Sequence, residues 1–210
     1  MKTDDLISAL AADRERSGSG IAGAMWGALA AGMIVSLAVF LLTLGIRSDV
    51  TAALQTWRFD VKLVISVVAV VAAVVDCIRS IRPETRNAAP LSVVAVGLLV
   101  VAVVIELASM PPSDWPSRVI GTNGMMCLLS IPVLSIAPLA ALLWALRSGA
   151  PASPARAGAA IGVLAAACGA ALYATHCSDD SPLFVATWYL LAAVPVIGLG
   201  AVLGSRLLKW

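Results

Sequence analysis

The chain has 210 residues, 60% of them hydrophobic and 12% charged, with a formal net charge of +2 and a mean hydropathy of +0.98. A soluble domain carries about twice that share of charge, so this is the composition of a chain solvated by lipid. Six spans of roughly 20 residues would consume about 120. That leaves no room for a separate soluble catalytic domain, and a net charge of +2 gives no basis for nucleic-acid binding.

In chain order, residues 1–20 form a polar segment that precedes the first apolar run. Thr3 can N-cap a short helix, Asp4 and Asp5 suit its positive end, and Arg14 and Arg16 suit its negative end. Leu6 and Leu10, with Ile7 and Ala11, make one apolar stripe. Such a short helix is marginal alone in water, so the stripe needs a surface: the membrane face, the protein's own loops, or the groove of a cytoplasmic partner. Ser17-Gly18-Ser19-Gly20 predicts a break and a flexible joint.

Six apolar runs follow, over residues 21–46, 63–78, 91–110, 125–146, 157–175 and 183–203. Backbone groups in lipid must be bonded internally and strand-like alternation is absent, so the prediction is all-α: a polytopic membrane protein built as a bundle of six transmembrane helices over residues 21–210. The second run is the shortest and is expected to recruit flanking residues. With both termini inside (N-in/C-in), ten of the 14 basic residues fall on the cytoplasmic side; Arg47, Arg58, Lys62 and Arg118 fall outside. Trp57 and Trp115 then mark the outer interface, and Trp144 and Trp210 the inner one. Gly23/Gly27 and Gly200/Gly204 have helix-packing spacing, and Pro132, Pro138 and Pro195 should kink their spans. Asp76 and Glu106 lie near opposite faces, unlike the central ionisable path of an ion-coupled transporter.

Four cysteines occur, at 77, 127, 168 and 177, with no C-x-x-C pair. Cys77 and Cys168 suit packing roles. Counting along the fourth and fifth runs puts Cys127 and Cys177 at similar depth near the outer face, within reach of a disulfide if they face each other. His176, Asp179 and Asp180 adjoin them. The set is open to a structural disulfide beside an acidic turn, to thiol-redox sensing, or to a soft or transition metal ion held by S, N and O donors. Enzyme chemistry is not expected, because no resolving thiol pair or substrate pocket is evident.

Four segments together carry a resemblance: the N-terminal M-K-T-D-D-L-I-S-A-L-A-A-D; Trp57-Arg58-Phe59-Asp60-Val61-Lys62; Cys127 followed by Ile131-Pro132 and Pro138; and His176-Cys177-Ser178-Asp179-Asp180-Ser181-Pro182-Leu183-Phe184, running on to Trp188-Tyr189. The chain resembles the NrsF family, six-span negative regulators of extracytoplasmic-function sigma factors in the bacterial inner membrane. The resemblance implies an anti-sigma factor that needs no cofactor. Asp4, Asp5, Leu6, Ile7 and Leu10 would hold the sigma factor, and Cys127 and Cys177 would sense an outside stress. A small-molecule or metal transporter and a membrane thiol oxidoreductase are the rival readings.

Overall fold

The computed structural model describes residues 3–81, 89–147, 151 and 153–208; side chains of residues 3–19, 21 and 81 are outside the description. Helix α1 spans Thr3–Thr43, followed by the short α2 (Val50–Ala53) and then α3 (Trp57–Ile81) and α4 (Ser92–Ala108). A 3-10 turn at Pro112–Asp114 leads into α5 (Trp115–Ile120), and α6 (Gly124–Leu146) and α7 (Pro154–Ala174) follow. The short α8 (Pro182–Phe184) continues through a π-helical segment, Val185–Tyr189, into α9 (Leu190–Leu207). Among the described residues, five helices are long and apolar enough to cross a membrane: Ala22–Thr43, Trp57–Ser80, Gly124–Leu146, Pro154–Ala174 and Pro182–Leu207. The third predicted run yields the shorter α4, whose 17 residues reach about 26 Å at 1.5 Å per residue. Leu42, Val64, Val71, Val104 and Val194 point outward and exposed, a surface suited to lipid.

The second run does recruit its flanks, since α3 begins at Trp57 and ends at Ile81. The break expected at Ser17-Gly18-Ser19-Gly20 is absent: the backbone is helical without interruption from Thr3 to Thr43. Glycine costs a helix about 1 kcal/mol relative to alanine. Two glycines therefore weaken this stretch without requiring a break when long helical runs flank it.

α7 is the most enclosed span and packs against α9, α6 and α3, while α1 lies along α6 and α4 along α3. Its contact with α9 is backbone on backbone. A Cβ on Gly158 would strike Gly200 and Gly204, and one on Gly162 would strike Ile197. The Gly200/Gly204 pair is thus a packing face as expected. Gly23/Gly27 is not: a Cβ at either position meets open space.

Pro132 and Pro138 both lie inside α6. Pro138 has no N–H for the carbonyl of Leu134. Ser36 of α1 replaces it, donating to the Leu134 oxygen at 2.7 Å. Gly32 packs against Pro138 beside this bond, so the α1–α6 contact is built around the proline.

Two cores fill the bundle. One joins Met25, Leu29, Ala73, Cys77, Leu142, Ile161, Leu164 and Cys168. The other joins Phe40, Leu99, Cys127, Ile131, Tyr173, Cys177, Phe184 and Tyr189. Cys77 and Cys168 are packing residues, 0% and 2% exposed.

Candidate functional site

The second core is closed at one end of the bundle by the loop between α7 and α8. Nearly every residue of the His176–Phe184 block has a structural task. His176 Nδ1 is 2.9 Å from the Gly45 carbonyl oxygen, which sets it as the protonated ring nitrogen. Gly45 has φ +70°, the left-handed turn that ends α1. Ser178 and Asp179 close on the start of α6. Asp179 accepts from the backbone N–H of Thr122 (3.0 Å) and Asn123 (2.8 Å), capping from another segment a helix whose own N-cap side chain makes no such bond. Pro182 opens α8, and the Phe184 ring lies against Gly121, where φ is +57°.

Asp180 is the anionic centre of a cation cluster. Arg47 Nη1 donates to its Oδ2 at 2.9 Å, and Lys62, 1% exposed at its side chain, pairs with its Oδ1. Both cations also donate to the Cys177 carbonyl oxygen, Lys62 at 2.8 Å and Arg47 at 3.3 Å. The Phe59 ring lies beside both, its centroid 5.4 Å from the guanidinium and 5.2 Å from the ammonium. Arg47 also makes a two-point contact with Asp49, at 2.7 Å to each oxygen. Asp49, opposed by burial and aided by Asp180, pushes the Arg47 guanidinium further up from its ordinary value. The same hydrogen bond holds the Asp49 carboxyl down at about 2. A depressed carboxyl supports the fold above its unfolded value and stops doing so as pH falls through about 2. The pair is therefore intact at neutral pH.

A second buried pair stands beside the first. Glu106 is 0% exposed. It accepts from Arg58 Nε at 3.0 Å, from the Ser181 hydroxyl at 2.7 Å and from the Leu183 N–H at 3.3 Å. A buried carboxylate is tolerated when its lone pairs are satisfied in this way. At the other end of the bundle Asp76 accepts from the Leu91 and Ser92 N–H groups, at 2.7 and 2.9 Å, and so caps α4. Asp76 and Glu106 thus sit at opposite ends, as expected. The four basic residues assigned to one side do gather at one end, with Arg118 lining the same polar cavity of about 540 Å³ as Asp179 and Asp180.

Cys127, in the first turn of α6, and Cys177 are free and buried and share the second core. The Cys177 thiol points at the Asp179 carbonyl oxygen, 3.8 Å away. Burial pushes this thiol up, against the opposing pull of the Lys62 ammonium.

The remaining metal donors are engaged elsewhere. Asp179 caps α6 and Asp180 neutralises cations, and among the described residues no group of three or more His, Cys, Asp and Glu is arranged to hold a metal ion. The expected assembly of His176, Asp179 and Asp180 with the thiols is therefore not what the structure brings together. What it does bring to them is Tyr173 and Tyr189, whose hydroxyls are buried without a hydrogen-bond partner among the described residues. Leaving a hydroxyl so costs about 1–3 kcal/mol. Sequence reasoning missed the two tyrosines, Glu106 and the Arg47/Lys62 role. Glu106 within an apolar run and Lys62 at the edge of another were the available signals, since an ionisable residue at membrane depth is functional or paired. Asp4, Asp5, Leu6, Ile7 and Leu10 occupy the first turns of α1, and their side chains lie outside the described residues.

No solved structure matches the chain. The Caulobacter vibrioides protein named anti-sigma-F factor NrsF is 34% identical over a 216-residue alignment that covers all of both chains. An Azospira oryzae protein named probable anti-sigma-F factor NrsF is 30% identical over 219 aligned residues, again covering both completely. The NrsF family, described as negative regulator of sigma F, matches residues 10–210. The chain is a member of the NrsF family.

Proposed function

We propose that the chain is a membrane-embedded anti-sigma factor. It holds an extracytoplasmic-function sigma factor through the start of α1 and releases it when a thiol-directed signal, an oxidant or a soft metal ion, reaches Cys127 and Cys177. Six spans with both termini cytoplasmic, in a bacterial inner membrane, fit the ten-to-four distribution of basic residues, and α4 would be the sixth span. Residues 1–20 are the binding segment and residues 21–210 the membrane domain.

The observation that carries the reading is the course of α1. One uninterrupted helix begins with the binding segment and ends in the cysteine loop, where Arg47 N–H donates to the Thr175 oxygen at 3.2 Å and its guanidinium to Asp180. A change at the thiols has a continuous backbone along which to alter the far end. Shifting the bound population from 1:99 to 99:1 needs about 5.5 kcal/mol, within the range of a new disulfide or a metal–thiolate bond. Transport is the weaker reading. The cavity between α3, α4, α7 and α9, about 250 Å³, is lined chiefly by apolar residues such as Ile65, Ala69, Leu99 and Ala166, which offer a charged cargo no ligands.

Co-purification from membranes tests the binding half. The full chain should recover a sigma factor stoichiometrically, and a chain lacking residues 1–16 should not. Failure with the full chain overturns the reading. For the signal half, Cys127→Ser/Cys177→Ser should keep its sigma factor under oxidant or cadmium; normal release from that variant removes the thiols from the mechanism.

A further inference from the structure

Tyr173 is 0% exposed and Tyr189 6%. Their rings lie 6.0 Å apart, centroid to centroid, in the core that holds both thiols. Each hydroxyl is buried without a partner among the described residues. Two unsatisfied hydroxyls in the core that holds one pair of thiols is an arrangement that native cores avoid unless the partner belongs to another state of the protein. Neutral thiols are poor acceptors. An oxygen on the sulfur would be a good one.

We propose that Tyr173 and Tyr189 are the hydrogen-bond donors for a sulfenic acid formed on Cys177, so that the site is built around the oxidised sulfur and not the resting thiol. The proposal rests on the thiol-signal reading above and names its chemistry. The oxidant is a hydroperoxide, ROOH. Cys177 sulfur attacks the distal peroxide oxygen, the O–O bond breaks as the S–O bond forms, and ROH leaves with the thiol proton, giving Cys177–SOH. Cys127 sulfur then attacks Cys177 sulfur. The S–S bond forms, the S–O bond breaks, and water leaves with the Cys127 proton. The two thiols lose two electrons and the peroxide gains them. The tyrosine hydroxyls donate to the sulfenic oxygen while it exists and to the departing water as it leaves. Cys177 is the sulfur oxidised first, because its loop neighbours Ser178, Asp179, Asp180 and Ser181 line the polar cavity while Cys127 sits in α6. Both tyrosines are positioning residues, since they act on an oxygen that the thiols acquire.

The test uses the full-length chain in lipid nanodiscs with tert-butyl hydroperoxide. In a Cys127→Ser background, dimedone should trap a sulfenic acid on Cys177. With both cysteines present, Tyr173→Phe and Tyr189→Phe should each slow disulfide formation about tenfold, the scale of one lost hydrogen bond to a developing charge. The thermal midpoint of the reduced protein should be unchanged or raised, because each substitution removes an unsatisfied hydroxyl. That combination separates the proposal from a structural role, which would lower the midpoint as the rate falls. Oxidation at the wild-type rate in both phenylalanine variants overturns it, as does a wild-type protein whose thiols stay free under hydroperoxide. Cadmium binding, measured by thiolate absorbance, should be unaffected by either variant. Equal weakening of both reactions overturns the assignment to a sulfenic oxygen. None of these readouts involves the sigma factor, so their failure is distinct from failure of the anti-sigma reading.

Discussion

Each half of the bundle buries two cysteines, and the two pairs differ in their company. Cys77 and Cys168 are surrounded by Met25, Leu142, Ile161, Leu164 and alanines, and the adjoining α7–α9 contact is one of glycine backbones. Cys127 and Cys177 share their core with two tyrosines whose hydroxyls lack partners among the described residues, beneath an end closed by Arg47, Lys62 and Asp180 and by Arg58 and Glu106. The first core is filled by apolar side chains and held by shape. The other contains charges that are stable only in one arrangement, because a buried charge that loses its partner is costly. A core of the first kind tolerates small adjustments and gives no signal. A core of the second kind resists small adjustments, because moving one charge strands its partner.

The contrast can be broken most severely at Asp180. Asp180→Asn leaves Arg47 and the buried Lys62 without their shared counter-charge, and about 3–5 kcal/mol of stability should be lost, read as a large fall in the unfolding midpoint of the detergent-solubilised protein. In the other half the equivalent damage is steric. Gly158→Val drives a side chain into the backbone of Gly200 and Gly204 and should cost about 1–3 kcal/mol or more, visible as reduced membrane accumulation and a lower midpoint. Cys168→Ala should cost only about 1 kcal/mol and leave sigma-factor release under oxidant unchanged; altered release would mean that the shape-held half also senses. At the small end, Gly27→Ala meets open space and should raise stability by about 0.5–1 kcal/mol, measured by the same melting experiment.

Much of this was legible in the sequence. Apolar runs of span length place the helices because lipid demands internal backbone bonding, and counting residues along two antiparallel runs brings Cys127 and Cys177 to one level. Depth is a one-dimensional property, and a sequence carries it. Facing is not. That Glu106 turns toward Ser181 and Arg58, or that Gly23/Gly27 points away from every neighbour while Gly200/Gly204 meets Gly158, depends on how each helix is rotated. Runs that are apolar on all sides carry little rotational information. Which partners His176, Asp179 and Asp180 take was hidden for the same reason. His176, Asp179 and Asp180 are adjacent in sequence, but each turns to a different element: the end of α1, the start of α6, and the cations of α1 and α3. The Ser-Gly joint was misread differently, since local propensity is a weak prior within a 41-residue helix.

The contact of Gly32 with Pro138 gives α1 a fulcrum. Thr43 lies 11 residues to one side and Thr3 29 residues to the other, or about 16 Å and about 44 Å of helix at 1.5 Å per residue. Any tilt of a rigid α1 about that point moves the two ends in opposite directions, with the Thr3 end travelling about 2.6 times as far. A disulfide-sized adjustment of about 1 Å at the Arg47 end therefore becomes a displacement of about half a helical turn at Thr3. Placing the close contact nearer the Thr43 end than the Thr3 end is a mechanical advantage in displacement, and lengthening or shortening the arm between Gly20 and Gly32 would change its gain.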